Sequence, residues 1–177
     1  VNFRGVIPTD ELGCELSESD QVLCIVNTRA EAAALYELLG ESEGNFHLST
    51  RMCGEHRSRK IDEIRERLAL GDRCRVVSTQ LIEAGVDVDF PTVYRAICGL
   101  DSLAQAAGRC NREGRRDFGN VYLYETEKTP PAGFLRQTAE TTQELIPDFD
   151  DLISPTATHR YFEQLYWRNS DAWDRHQ

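Results

Sequence analysis

No stretch of this 177-residue chain is apolar over the roughly 18 residues that a membrane-crossing helix needs. Its first residues, VNFRGVIPTDE, have neither the basic start nor the apolar centre of a secretory signal. A cytoplasmic protein with no membrane partner is the expectation. The six cysteines stand singly at 14, 24, 53, 74, 98 and 110, without one C-x-x-C pair. Several lie inside apolar runs, which favours buried reduced thiols over disulfides or a zinc site. His47, His56, His159 and His176 lack ligand spacing, so no metal site is expected. Missing as well is a G-x-x-x-x-G-K-[ST] phosphate loop, and Asp10-Glu11 and Asp62-Glu63 lack the D-E-x-[DH] context of a magnesium-holding motif.

Charge is abundant but unevenly placed. Thirty acidic against twenty basic residues give a net charge of -10, which argues at first against a nucleic-acid partner. Acid gathers in Asp10 to Asp20 and Glu140 to Asp151, whereas Arg51 to Arg75 and Arg109 to Arg116 are rich in arginine. A polyanion responds to the field within about 8 Å at physiological salt. A basic groove on an acidic body therefore stays open.

The hydrophobic pattern alternates between strand and helix. Gln21 to Asn27, QVLCIVN, is an unbroken apolar run with β-formers, as in a strand buried on both faces. Thr28 and Glu31 form a capping box, and Ala32, Leu35, Tyr36 and Leu39 carry the stripe of a helix ending near Gly40. A strand at Phe46 to Ser49 precedes the helix EHRSRKIDEIRERLALG, with Ile61, Ile64 and Leu68 inward and Gly71 closing it. Further strands follow at Arg75 to Ser78, Val93 to Cys98 and Asn120 to Glu125, with a long connection at Thr79 to Phe90. The alternation predicts an α/β fold with a mostly parallel sheet and helices on both faces. Residues 1–20 read as an incoming connector, 21–128 as the domain, and 129–177 as a helical extension after Pro130 and Pro131. Phe134 to Ile146 and Thr156 to Trp167 are its helices, and Tyr161, Phe162, Tyr166, Trp167 and Trp173 are expected to dock it on the domain, the alternative being a surface for the next domain of a longer protein.

The most pointed stretch is Asp101 to Arg116, DSLAQAAGRCNREGRR. In a helix capped by Asp101 or Ser102, Gln105, Gly108, Arg109 and Arg112 share one face, while Leu103, Ala106, Ala107 and Cys110 form the buried stripe. Two guanidiniums one turn apart would then point outward, and Gly108 would let an anion approach the backbone. Taken alone, such arginines more often meet water, and Ser102 with Gln105 is also a capping box. The polar residues at the strand ends add weight: Asn27, Thr28 and Arg29, then Ser49, Thr50 and Arg51, then Thr79, Gln80, Glu83, Gly85 and Asp87. Ligands of open parallel sheets bind at those ends, and short donors mixed with arginine suit a phosphodiester backbone.

These stretches occur in the order found in the second RecA-like motor domain of superfamily 2 helicases. VLCIVNTR resembles motif IV, HLSTRMCGEHR the motif IVa region, VVSTQLIEAGVDVDF motif V and SLAQAAGRCNREGR motif VI. STQLIEAGVDVDF followed by QAAGRCNREGR is similar to the CRISPR-associated type I helicase-nuclease family. The resemblance covers about residues 20 to 127. It implies a RecA-like, P-loop NTPase-type fold and ATP with magnesium, held mainly by a partner motor domain. Arg109 and Arg112 would be arginine fingers, with Gln105, Gly108 and Gly85 near the nucleotide and Asp87 facing its ribose or holding an arginine in place. Asn27, Thr28, Arg29, Ser49, Thr50, Arg51, Thr79 and Gln80 would line the path of single-stranded DNA, and Glu83 would belong with these loop residues or brace motif VI. The implied partners are single-stranded DNA, a first RecA-like domain, a nuclease domain and the Cascade surveillance complex with its guide RNA. Another superfamily 2 helicase, acting on DNA or RNA, or a non-catalytic RecA-like binding module are the alternatives. Half an ATP site should not turn over: the isolated chain is expected to show negligible DNA-stimulated ATP hydrolysis, and substantial hydrolysis by the purified chain would refute the half-site reading.

Overall fold

A computed structural model describes residues 1–83 and 85–168. Its centre is a six-stranded, wholly parallel sheet of β1 (Asn2–Val6), β2 (Gln21–Ile25), β3 (Asn45–Leu48), β4 (Cys74–Ser78), β5 (Thr92–Ala96) and β6 (Asn120–Glu125), in the order β1-β6-β5-β2-β4-β3. The helices are α1 (Thr9–Glu18), α2 (Arg29–Leu39), α3 (Gly54–Leu70), α4 (Leu100–Ala107), α5 (Phe134–Leu145) and α6 (Pro155–Arg168). After β2 the chain visits β3 and β4 on one side, then crosses to β5 and β6 on the other. The loops leaving β2, β4 and β5 are therefore neighbours at one end of the sheet, where such folds place their ligands.

The central strands form because they are covered on both faces. Leu23, Ile25, Val76, Val93 and Phe46 pack with Ile61 and Ile64 of α3, whereas Val22, Cys24, Val77, Tyr94 and Tyr124 pack with Leu12, Leu16, Ala32 and Leu35 of α1 and α2. The capping box at Thr28 and Glu31 is present, with both reciprocal bonds made, and Gly40 and Gly71 end α2 and α3. Gly71 adopts the left-handed conformation that a helix terminus favours. The six cysteines are unbridged; Cys24, Cys74 and Cys98 are buried, as expected of reduced thiols inside apolar runs. Burial pushes the Cys24 and Cys74 thiols up to about 12.

Residues 2–18 differ from the expected connector. They form β1 and α1, with β1 paired to β6 as the sheet edge. Phe3 and Val6 are exposed there, and the register shifts between them around Gly5, whose φ is +69°. That irregular, half-covered edge hides the periodicity that marks a buried strand. The unit is tied down by Glu15, which accepts bonds from Arg4 (2.8 Å) and from the Tyr94 hydroxyl of β5 (2.7 Å).

The helical extension packs on the same body. Tyr161 of α6 is fully buried against Leu100 and Leu103 of α4, together with Leu145 and Ala139 of α5. Phe162, Tyr166 and Trp167 stay largely exposed, so one ring docks the helix while the others face outward. Trp173 lies outside the described residues.

Candidate functional site

The site begins with the two loops that flank the outer half of the sheet. The first turn of α2 and the end of β3 enclose a cleft of about 500 Å³, lined by Thr28, Arg29, Ala33, His47, Ser49 and Arg51 among others. Arg29 and Arg51 are exposed on its rim, and Thr50 is exposed in the same loop. The Thr28 hydroxyl is engaged with Glu31, so it presents a fixed helix start rather than a free side chain. Two basic side chains beside a helix N-terminus give local positive potential to a chain that is acidic overall. Burial holds the His47 imidazole below its ordinary pKa, and its ring stacks on Tyr36 with centroids 5.5 Å apart.

Asn27, expected along the strand path, is turned inward. It is buried, its amide nitrogen donates to the Ile97 carbonyl (2.8 Å), and its Oδ1 accepts from Arg95 (2.8 Å). Thr79 is also buried, whereas Gln80 is half-buried and reaches the Asn27 carbonyl at 3.4 Å. These two loops are thus joined through their backbones and through one unanticipated residue.

That residue is Arg95, the fully buried arginine of β5. Its guanidinium donates to Asn27 Oδ1 (2.8 Å), the Ala96 carbonyl (3.0 Å) and Ser102 Oγ (2.9 Å). Nε lies 2.7 Å from Glu83 Oε1, an ion pair with both side chains buried. Glu83 accepts a bond from Ser102 Oγ at 2.6 Å. Burial pushes the Glu83 carboxyl upward, opposed by the Arg95 charge and the Ser102 bond. Glu83 thereby ties the loop after β4 to α4.

The arginine stretch departs from the expected outward-facing helix. α4 starts at Leu100 with Gly99 as its cap and ends at Ala107, so Ser102 lies inside it and no Ser102–Gln105 capping box forms. A Cβ on Gly99 would overlap Asp101 and the Tyr161 hydroxyl, which explains a cap without a side chain. Gly108 ends the helix, and the periodicity that put both arginines on one outward face stops there. Arg109 folds back: it is 8% exposed, and its guanidinium donates to the carbonyls of Ile82 (3.1 Å) and Glu83 (2.5 Å). Burial, and then the neighbouring Arg112 charge, push its pKa down. Arg112 does face out, half-exposed, with Nε 2.9 Å from Asp87 Oδ1. Gln105, Gly108 and Gly85 are also exposed.

The loop carrying these arginines is firmly held. Phe90 donates to the Arg109 carbonyl and accepts from the Asn111 amide, both at 2.9 Å. Asn111 adopts φ 48°, a left-handed conformation that asparagine tolerates, and exchanges bonds with the Arg116 backbone. Asp89 accepts from the Arg112 amide at 2.7 Å. An exposed pair such as Arg112–Asp87 contributes only about 0–1 kcal/mol. A more highly charged anion can therefore take its place at little cost.

A family model described as CRISPR-associated nuclease/helicase Cas3, C-terminal, matches residues 18–115, which include the loops after β2, β3 and β4 and both arginines. The chain belongs to the Cas3-like C-terminal family. Cas3 of Methanothermobacter thermautotrophicus is 27% identical over 152 residues, covering 82% of this chain and 18% of that protein. Cas3 of Haloferax volcanii is 34% identical over 121 residues, covering 51% of this chain and 13% of its own. The chain thus spans less than a fifth of either Cas3 relative. Among solved structures, T. fusca Cas3-ADP aligns with a TM-score of 0.69 and 18% identity over 96% of this chain and 24% of that one. T. fusca Cas3-ATP gives 0.65 and 21% over 84% and 22%. A CRISPR RNA-guided surveillance complex, pre-nicking, gives 0.63 and 20% over 91% and 25%. The chain is a second RecA-like domain of the Cas3 type, as its motifs implied.

Arg95 had no place in the expected binding set, although a charged residue within the apolar run VYRAIC was a visible signal. Removing one partner of a buried pair strands the other. Glu83→Gln is therefore expected to lower the unfolding free energy of the isolated chain by about 3–5 kcal/mol, read by urea titration, with most of it recovered in Glu83→Gln/Arg95→Met. A loss below about 1 kcal/mol would show that the pair is solvated in solution.

Proposed function

We propose that this domain is the second motor half of an ATP-dependent single-stranded DNA translocase of the Cas3 type. It would work with a first RecA-like domain and a nuclease domain of the same protein, on DNA marked by the Cascade surveillance complex. The observation that carries this reading is the placement of the Arg109–Arg112 loop against the loop after β4, beside the strand-facing loops after β2 and β3. The solved relatives are described as Cas3 with ATP and with ADP, which supports a nucleotide ligand; the exposed Arg112 edge would face it.

The donors there fit an anion better than a cation. Arg109 and Arg112 offer only N–H groups, Asp87 and Asp89 are each engaged by the arginine loop, and no group of His, Cys, Asp or Glu suited to a metal occurs among the described residues. The companion domain would therefore hold the magnesium and most of the nucleotide. Bound ATP would supply the transferable γ-phosphoryl group. Arg112, exposed and weakly paired, would exchange Asp87 for phosphate oxygens and stabilise charge that spreads during transfer. Arg109 would follow only by leaving the Ile82 and Glu83 carbonyls, so it serves both as a second finger and as a clasp on that loop. Gln105, Gly108 and Gly85 leave the approach unobstructed.

On the strand side, Arg29 and Arg51 would contact phosphates, with the helix start at Thr28 and the Ser49–Thr50 loop supplying neutral donors. Asn27 and Thr79, being buried, would shape the path rather than touch it, and Gln80 would bridge the two. Closing and opening against the companion domain would move two such gripping surfaces past each other.

In the complete protein, Arg112→Ala should cut DNA-stimulated turnover about 10³-fold or more while retaining most ATP binding. Arg109→Ala should do the same and also lower the domain's thermal midpoint, because two buried carbonyls lose their donor. Near-normal turnover in both variants would remove the finger assignment. Arg29→Ala with Arg51→Ala should weaken binding of a poly-dT strand and reduce the slope of log K against log salt by about 1.4, at roughly 0.7 per lost contact; an unchanged slope would place the strand elsewhere.

A further inference from the structure

One unbroken path of polar contacts runs from the strand-facing loop to the arginine loop. Gln80 reaches the Asn27 carbonyl, Asn27 Oδ1 accepts from Arg95, Arg95 abuts Glu83, and the Glu83 backbone carbonyl accepts from Arg109. Ser102 ties the same pair to α4 by donating to Glu83 and accepting from Arg95. Arg95 has no exposed surface. No ligand can touch it, so whatever it does passes through its partners.

We propose that Arg95 is a positioning residue that couples occupancy of the strand-facing loop at 27–29 to the seating of Arg109. The proposal rests on the motor reading. Arg109 is seated here on the Ile82 and Glu83 carbonyls, and the motor reading gives it a second position, released towards phosphate. Its seat is built partly by Glu83, the residue whose carboxylate Arg95 holds. The guanidinium is a rigid planar fork. It cannot follow a displacement of Asn27 without shifting against Ser102 and Glu83, and a shift of Glu83 moves the carbonyl on which Arg109 sits. A strand that displaces the 27–29 loop therefore changes the relative stability of the two Arg109 positions. A bistable element biased from both sites is the physical requirement for coupling, and the coupling must be reciprocal.

The test is the affinity of the complete protein for AMPPNP, measured with and without a single-stranded dT oligonucleotide. In the wild type the two dissociation constants should differ by about 5- to 150-fold, the usual range for coupled sites. In Ser102→Ala, and in the charge-free pair Arg95→Met/Glu83→Gln, that ratio should collapse towards one. The affinity for each ligand alone should stay within about threefold of wild type, a change of less than about 1 kcal/mol. A merely structural role would alter the separate affinities or the fold and leave the ratio intact. A wild-type ratio preserved in both folded variants overturns the bridge. Nucleotide affinity indifferent to the strand in the wild type itself would instead overturn the motor reading beneath it.

Discussion

A permanently charged guanidinium enclosed in a parallel sheet is the constraint around which this domain is arranged. Removing the Arg95 charge from water costs several kcal/mol even after relaxation. The fold must bring compensating oxygens to it from Asn27 after β2, Glu83 after β4, Ala96 in its own strand and Ser102 in α4. Asn27, Glu83 and the Ala96–Ser102 segment are separate in sequence. Their convergence fixes how three loops sit at one end of the sheet. A hydrophobic replacement could be as stable, so the value of the pair lies in the arrangement it imposes rather than in net stability.

From that arrangement the remaining features follow. Glu83, held from below by Arg95, presents its backbone carbonyl to Arg109, and the same loop presents Asp87 to Arg112. The two arginines end up in different states: one clasped and nearly dry, the other solvated and loosely paired. On the far side of β2 the capped start of α2 stands beside the end of β3, giving an arginine-rimmed cleft. The body of the domain remains acidic on α1 and after α5, away from the arginine loop in sequence. Negative potential elsewhere then discourages unspecific association without cancelling a local basic edge.

How much of this could be read from residues depends on how local its cause is. The inner strands were legible within about two residues, because burial on both faces leaves unbroken apolar runs. The capping box of α2 and the glycine stop of α3 were legible because each is a contact between near neighbours. The edge unit β1–α1 was not, since an exposed, irregular strand has no clean alternation. The limits of α4 were missed because Gly99 caps through its backbone alone, against Tyr161 from α6, and because helical periodicity was carried past Gly108. Arg109's inward turn depends on carbonyls of a separate loop, which no spacing rule reaches. Arg95 left a trace as a charge within an apolar strand. Its partners, however, come from three other elements and appear only in three dimensions.

The central proposal is that this domain presents Arg112, on a loop clasped to the Glu83 carbonyl through Arg109, to the phosphates of a nucleotide held mainly by a companion domain. The most direct measurement is a structure of the complete protein with a non-hydrolysable ATP analogue and single-stranded DNA. The account expects the Arg112 guanidinium to have left Asp87 for the terminal phosphate, with Arg95 still bridging Asn27, Glu83 and Ser102. An Arg112–Asp87 pair left intact, with the phosphates out of reach of both arginines, would contradict it.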